Sequence, residues 1–207
     1  MSLDGFTAGP EQSLDNPLGI GGDALHDWVV QLAAWRAPHG LPGGEVNESS
    51  KIVEEEQAGI GATIMGRNMF GGHPGPWNPD DPWNGWWGDA PPFHHPVFVL
   101  THHAREPLER KGGTTFTFVT DGIESALELA LEAASGQDVA LAGGADVAQQ
   151  YLRAGLVDEM DLHLVPILLG GGERLFEGMG PDLHGLALVR TVPADAVVHM
   201  KFARARS

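Results

Sequence analysis

The sequence contains no cysteine among its 207 residues, and only three lysines and nine arginines. Without cysteine, the chain cannot form a disulfide, a thiolate metal site or an iron–sulfur cluster, and it has no cysteine nucleophile. Its 28 acidic and 12 basic residues give a formal charge of −16, which disfavours contact with nucleic-acid phosphates. We therefore expect no nucleic-acid partner.

Long apolar stretches are missing as well. The sequence has no run of about 18 consecutive apolar residues, so we expect no membrane-spanning helix. Residues 1–5 lack the basic and then apolar order of a signal peptide. These absences predict a cytoplasmic protein, and the length predicts a single domain over residues 1–207.

Strand-like and helix-like segments alternate along most of the chain. Apolar spacing predicts helices over residues 23–35, 48–58 (with Asn47 as N-cap), 123–134 and 145–154. It predicts strands over residues 60–65, 97–101, 115–119, 139–142, 159–166, 186–192 and 196–203, with a turn at 193–195. This order predicts an α/β three-layer sandwich: a mixed, mostly parallel central sheet, helices on both faces and a C-terminal antiparallel hairpin.

A loop rich in glycine, proline and tryptophan, residues 71–95, interrupts this alternation. It carries a group of large aromatic residues: Trp77, Trp83, Trp86, Trp87 and Phe93. Aromatic rings within a polar loop need an apolar surface to cover. The loop is therefore interpreted as a lid over a substrate or as a subunit contact, and we expect a homodimer.

Glycines and polar residues follow several predicted strands. Gly66-Arg67 follows the strand 60–65, Thr101-His102 ends the strand 97–101, and Gly143-Gly144 precedes the helix that opens with Ala145-Asp146. Ligands of open parallel sheets bind beyond the carboxyl ends of the strands, and glycines there allow close backbone approach. Together these residues predict a site for an anionic ligand.

Two further groups of polar residues are expected to be structural. Adjacent histidines at 94–95 and 102–103 would point to opposite faces of a strand, so we expect no metal site. The acidic run 54–56 is expected to be a solvated helix face.

Five short motifs occur in a characteristic order. They are Ser2-Leu3-Asp4-Gly5; Met65-Gly66-Arg67 with Phe70; Val99-Leu100-Thr101; Gly143-Gly144; and Asp158-Glu159 before His163-Leu164-Val165-Pro166 with Leu169-Gly170-Gly171-Gly172. In this order the chain resembles the dihydrofolate-reductase-like family, and most closely the reductase domain of bifunctional riboflavin-biosynthesis enzymes and its stand-alone relatives.

The resemblance implies an NADPH-dependent reductase that transfers a hydride to a small heterocyclic (pterin- or pyrimidine-like) or carbonyl substrate. Asp4 matches the first loop, near nicotinamide and substrate, and is the candidate catalytic residue. The implied cofactor-binding residues are Gly66 and Arg67 for phosphate, Thr101 and His102 near the ribose 2′-phosphate, and Gly143, Gly144, Ala145 and Asp146 for pyrophosphate. Relatives often pair through their carboxyl-terminal strands. The alternative function is a nucleotide-binding or interaction protein that keeps the scaffold without reductase activity.

Overall fold

The computed structural model describes residues 1–80 and 82–205. They form two compact units, one of residues 1–56 with 149–205 and one of residues 57–148. The single domain expected over residues 1–207 stays a prediction, and Asp81, Arg206 and Ser207 lie outside the described residues.

The elements are β1 (Phe6–Ala8), α1 (Ala33–Arg36), α2 (Glu48–Gln57), β2 (Ile60–Gly66), α3 (Arg67–Phe70), β3 (Pro96–Leu100), β4 (Leu108–Glu109), β5 (Thr115–Val119), α4 (Ile123–Ala134), β6 (Asp138–Gly143), α5 (Ala145–Arg153), β7 (Glu159–Leu164), β8 (Glu173–Arg174), β9 (Leu186–Ala194) and β10 (Val197–Arg204), with 3-10 helices at Gly22–Leu25 and Lys111–Gly113.

The unit of residues 57–148 is built on a five-stranded sheet with the order β4-β5-β3-β2-β6. Strands β5, β3, β2 and β6 are parallel, and β4 adds an antiparallel edge. Helix α4 lies against β2, β3 and β6 and buries Ala126, Ala130 and Ala134, which repeat every four residues. The predicted mixed, mostly parallel sheet is confirmed.

The tryptophan loop, residues 71–95, packs onto the core of this unit. Trp77, Trp83, Trp87 and Phe93 contact a buried cluster formed by Met65, Phe70, Val97, Val99, Phe116 and Phe118. The indole N–H groups of Trp83 and Trp86 donate to the carbonyls of Phe70 (2.8 Å) and Met69 (3.0 Å). The aromatic rings therefore find their cover within their own unit. Whether the loop also acts as a lid or a subunit contact stays a prediction.

The unit of residues 1–56 and 149–205 contains a three-stranded antiparallel sheet, β7-β10-β9, and the two-stranded pair β1-β8. The C-terminal hairpin is confirmed, but its turn lies at residues 195–196 because Pro193 pairs with Val198 in the ladder. Proline lacks a backbone donor, and β9 tolerates it as an edge strand. Strands β1, β4 and β8 are two or three residues long, too short to show a periodic pattern in the sequence.

The helix predicted over residues 23–35 is wrong. The segment forms the 3-10 helix Gly22–Leu25, a series of turns and the four-residue helix α1. Leu32 is extended (φ −76°, ψ 141°) because Glu45 takes the backbone hydrogen bonds on either side of it, accepting from Ala33 (2.9 Å) and donating to Gln31 (2.8 Å). The periodicity identified a buried face correctly, since Leu25 and Leu32 on the predicted apolar face are buried. It does not distinguish one helix from linked turns.

Helix α2 confirms the predicted start, since the Asn47 side chain accepts a hydrogen bond from the Ser50 amide at 3.0 Å. The acidic run on this helix is exposed at Glu54 and Glu55. The expectation of a solvated face is wrong for Glu56, which is half-buried and pairs with a histidine of β7. No helix in the described part of the chain is long and apolar enough to cross a membrane.

Gly61 of β2 lies close to the C-terminal end of α4. A methyl group there would lie 2.8 Å from the Ala134 carbonyl oxygen and 2.9 Å from Gln137 Cβ. We expect Gly61→Ala to lower the free energy of unfolding by about 1–3 kcal/mol through overpacking, measured by denaturant titration. Ala58→Val, which adds volume at an exposed position, is the control. Equal stability of Gly61→Ala and the native protein would contradict this account of the contact.

Candidate functional site

The glycines and polar residues predicted to bind an anion lie at one edge of the five-stranded sheet. Gly66 pairs with Leu100 across β2 and β3, and Met65 pairs with Gly143 across β2 and β6. Because these strands are parallel, the residues that follow them leave the sheet at the same edge. We call this edge, formed by residues 66–67, 101 and 143–144, the glycine edge.

Two glycines of this edge are required by local geometry. Gly66 is buried, and a methyl group there would lie 2.8 Å from a side-chain carbon of Val147, so the end of β2 and helix α5 could not approach each other as they do. Gly143 has φ +115°, a conformation that favours glycine, and its peptide bond to Gly144 is cis. Helix α5 begins directly after this pair with Ala145, which is buried, and Asp146, which is exposed.

Arg67 is the main cationic group beside the glycine edge. Its guanidinium carbon lies 3.6 Å from the centre of the Trp77 ring, and Nη2 donates to the His73 carbonyl at 2.9 Å. Its Nε is buried and has no hydrogen-bond partner among the described residues. Burial lowers the pKa of Arg67, and the nearby Arg105 lowers it further.

Arg105 is a functional candidate that follows the predicted strand 97–101 but is not among the predicted cofactor-binding residues. Its guanidinium carbon lies 4.9 Å from the Trp77 ring centre, and Nη2 donates to the Asn84 side chain at 2.8 Å. Within residues 1–80 and 82–205, neither Arg67 nor Arg105 forms an ion pair with a carboxylate. We call Arg67, Trp77 and Arg105 the arginine–tryptophan cluster. The only signal for Arg105 in the sequence is its position shortly after a predicted strand.

Thr101 and His102 occupy the end of β3. Thr101 is buried, and its hydroxyl accepts a hydrogen bond from the His103 amide at 3.2 Å. The His103 carbonyl accepts the indole N–H of Trp77 at 2.7 Å, which links this turn to the arginine–tryptophan cluster. His102 itself is exposed. Thr101 therefore shapes the turn, while His102 leaves its imidazole accessible.

Asp4 lies in the other unit, in the turn before β1. Its carboxylate accepts hydrogen bonds from the Ser2 hydroxyl (2.6 Å) and from the amides of Leu169 (3.1 Å) and Gly170 (2.7 Å). These bonds, with that from Ser2 the strongest, lower the pKa of Asp4 to about 2. Asp4 lines a pocket of about 440 Å³ together with Leu3, Gly5, Arg174, Phe176 and Glu177. At neutral pH the ionised carboxylate accepts hydrogen bonds and has no proton to donate.

The described residues combine a mostly parallel five-stranded sheet, whose strand ends carry the glycine edge, with an antiparallel C-terminal hairpin. The chain belongs to the RibD C-terminal domain family, whose model matches residues 1–199. This membership supports a reductase-type function in general terms.

Solved structures show the same fold at low sequence identity. A riboflavin biosynthesis protein from Shewanella sp. PV-4 has 22% identity and a TM-score of 0.58, and the match covers 100% of this chain and 96% of that one. The deaminase/reductase of Thermotoga maritima has 14% identity and a TM-score of 0.54, with 99% and 54% covered. RibD of Acinetobacter baumannii has 17% identity and a TM-score of 0.55, with 99% and 56% covered. The chain thus spans about half the length of the last two proteins. No curated protein matches it significantly.

The hydrogen bonds of Asp4 make a prediction about stability and pH. Because the pKa of Asp4 is lower in the folded protein, its stabilisation is fully present above the unfolded value of 3.8 and is lost as the pH falls towards about 2. We expect Asp4→Asn to lower the melting temperature at neutral pH, and this difference to shrink steadily between those two pH values. Asp15→Asn, at a carboxylate of the same unit, is the control. A melting difference independent of pH would contradict this role.

Proposed function

We propose that this protein is an NADPH-dependent reductase acting on a small heterocyclic (pterin- or pyrimidine-like) or carbonyl substrate, with the cytoplasm as the expected compartment. The observation that carries the proposal is the arginine–tryptophan cluster, in which two guanidinium groups lie beside one indole without a carboxylate partner among the described residues. Two neighbouring positive charges are unusual in a chain of formal charge −16. A bound anion would account for them, since partly buried charges are stabilised by a counter-charge.

The residues at the glycine edge fit the phosphate groups of this cofactor. The Arg67 guanidinium lies over the Trp77 ring, and its planar group of N–H donors suits contact with phosphate oxygens. Gly143 and Gly144 carry no side chain where α5 begins, so the backbone there can approach a pyrophosphate. When bound, NADPH supplies a hydride; the protein supplies binding and orientation.

The direct test is a titration of NADPH against the pure protein, followed by NADPH oxidation with a panel of pterins, pyrimidines and quinones. Saturable binding and turnover of one panel member would support a reductase. Binding without turnover across the whole panel would favour the alternative, a nucleotide-binding protein without reductase activity. Absence of binding would overturn the proposal.

Arg67 is expected to select NADPH over NADH by contacting the 2′-phosphate. Charge-assisted hydrogen bonds contribute roughly 1.5–3 kcal/mol, so Arg67→Ala should weaken NADPH binding about ten- to a hundredfold and leave NADH binding nearly unchanged. The measurement is a pair of calorimetric titrations for each variant. Arg36→Ala, which removes a guanidinium that donates to the Pro42 carbonyl, is the control. Equal losses for both cofactors would instead place Arg67 at the pyrophosphate.

We also propose that the protein is a homodimer that pairs through its carboxyl-terminal strands. Strand β9 is an edge of its sheet, and Leu188 and Val189 on it are 54% and 59% exposed. Light scattering at micromolar concentration should give twice the mass of the chain, and Leu188→Lys should shift the mass towards the monomer. Leu168→Lys, at another exposed leucine, is the control. A monomer mass for the native protein would refute the dimer.

A further inference from the structure

A pocket of about 350 Å³ lies between the start of α2, the turn that joins β9 to β10 and the segment before α1. Its apolar walls include Trp28, Leu32 and Val197. Its polar lining residues are Gln31, Glu45, Asn47, Glu48, Ser49 and Asp195. All of these residues belong to the unit of residues 1–56 and 149–205. The volume is sufficient for a small organic ligand.

The lining of this pocket carries negative charge. No Lys, Arg or His is found among its described lining residues, whereas Glu45, Glu48 and Asp195 contribute carboxylates. Lys51 pairs with Glu48 at 3.2 Å, but neither Glu45 nor Asp195 forms an ion pair within residues 1–80 and 82–205. Two carboxylates without a counter-charge, beside an indole ring, favour a cationic ligand.

The two side-chain amides of the lining do not reverse this preference. Gln31 Nε2 donates to the Asp27 carbonyl at 2.9 Å, and Asn47 Nδ2 donates to Glu45 Oε2 at 3.1 Å. Each amide therefore already uses one of its two donor hydrogens within the protein. The carboxylate oxygens remain the dominant polar groups of the pocket.

Ser49 connects the pocket to a buried chain of polar contacts. It is only 6% exposed, and its Oγ lies 2.9 Å from His199 Nε2. His199 Nδ1 lies 2.8 Å from His163 Nδ1, and His163 Nε2 lies 3.2 Å from Glu56 Oε2. The serine hydroxyl is thus held by an interior partner while its residue lines the pocket.

The order of hydrogens along this chain determines what Ser49 offers to a ligand. The Glu56 carboxylate can only accept, so His163 Nε2 carries a hydrogen. Burial lowers the pKa of His199, and His163 lowers it further, so the His199 imidazole is neutral at neutral pH. When both imidazoles are neutral, His199 Nδ1 donates to His163 and the serine hydroxyl donates to His199 Nε2. The Ser49 oxygen then keeps its lone pairs, and it accepts no hydrogen bond from the described residues. An N–H donor is the complementary ligand group.

We propose that the pocket beside Trp28 binds a small organic ammonium ion, whose N–H group donates to Ser49 Oγ and whose charge is balanced by Glu45 and Asp195. The apolar body of the ligand lies against Trp28 and Leu32. A primary ammonium group suits this lining because it carries three donors and no acceptor. The proposal goes beyond the reductase function, since it adds a ligand of opposite charge to the proposed cofactor. Its tests use neither NADPH nor turnover, so their failure would not bear on the proposed function.

The first test measures affinity by calorimetry at low ionic strength and about pH 8, above the ordinary pKa of imidazole. The probe is 2-phenylethylammonium, with 2-phenylethanol as its neutral analogue and 3-phenylpropionate as its anionic analogue. We expect the probe to saturate one site at least about tenfold more tightly than the alcohol, and the carboxylate not to bind. Absence of saturable binding of the probe, or equal affinity for the alcohol, would overturn the proposal.

The second test separates the pocket from the net charge of the chain. Asp195 lies in an exposed turn, so Asp195→Asn removes a charge without disturbing the core. We expect this variant to weaken binding of the probe about threefold or more, while Asp15→Asn, at an exposed carboxylate of the same unit, leaves it unchanged. Equal effects of the two substitutions would show attraction by the overall charge alone and would overturn the site.

Ser49→Ala tests the hydrogen bond to the ligand. We expect it to weaken binding of the probe about tenfold and to leave the weak affinity for 2-phenylethanol less affected, because a hydrogen bond from a charged donor is the stronger one. The melting curve of each variant checks that the fold is kept. An unchanged affinity for the probe in a folded Ser49→Ala protein would overturn the role of Ser49.

Nitrogen NMR of the histidines locates the bound probe. Because the Ser49 hydroxyl contacts His199, we expect the probe to shift the His199 signals. His184 is the reference, since it precedes β9 at the end remote from the turn between β9 and β10. A bound probe that leaves His199 unchanged, or that shifts His184 equally, lies outside the pocket and overturns the proposal.

Discussion

The contact between Arg67 and Trp77 determines how the glycine edge can function. A guanidinium over an indole face gains attraction from the ring and loses part of its hydration. Arg105 adds a second positive charge on the same ring system. These two charges repel each other, and no carboxylate within the described residues forms an ion pair with either of them. An anionic ligand would therefore relieve a repulsion that the unliganded fold maintains, which strengthens binding of a phosphate over binding of a neutral group.

The tryptophan loop makes this arrangement possible. The indole N–H groups of Trp77, Trp83 and Trp86 attach the loop to carbonyls outside it, those of His103, Phe70 and Met69, at 2.7–3.0 Å. Gly71 permits the approach, because a methyl group there would lie 2.6 Å from the Trp86 ring. The loop is thus held on the cluster around Phe70 and Phe116 by the packing of its aromatic rings rather than by regular secondary structure. It also holds the His73 carbonyl that fixes Arg67.

The sequence predicted the parallel sheet well because its strands are short apolar runs separated by glycine turns, as at residues 60–66 and 138–144. It located the glycine edge for the same reason, since chain order alone places strand ends together once the strands are parallel. It failed where tertiary partners decide local structure. The backbone of Glu45 bonds to the residues on either side of Leu32, so a segment with helical apolar spacing forms turns instead. Glu56 belongs to an acidic run that resembles a solvated helix face, but it pairs with His163 and is half-buried. The link from Ser49 to His199 joins residues 150 positions apart, so no local pattern could reveal it.

Charge divides the possible ligands of this acidic chain between two different environments. The arginine–tryptophan cluster concentrates positive charge in one unit and favours phosphate groups. The pocket of about 350 Å³ beside Trp28 lies in the other unit and presents Glu45, Glu48 and Asp195, with no basic residue among its described lining. The negative charge of this pocket disfavours phosphates and carboxylates, whereas a neutral group gains nothing from the arginines. The two environments therefore favour ligands of opposite charge, through repulsion as much as through attraction.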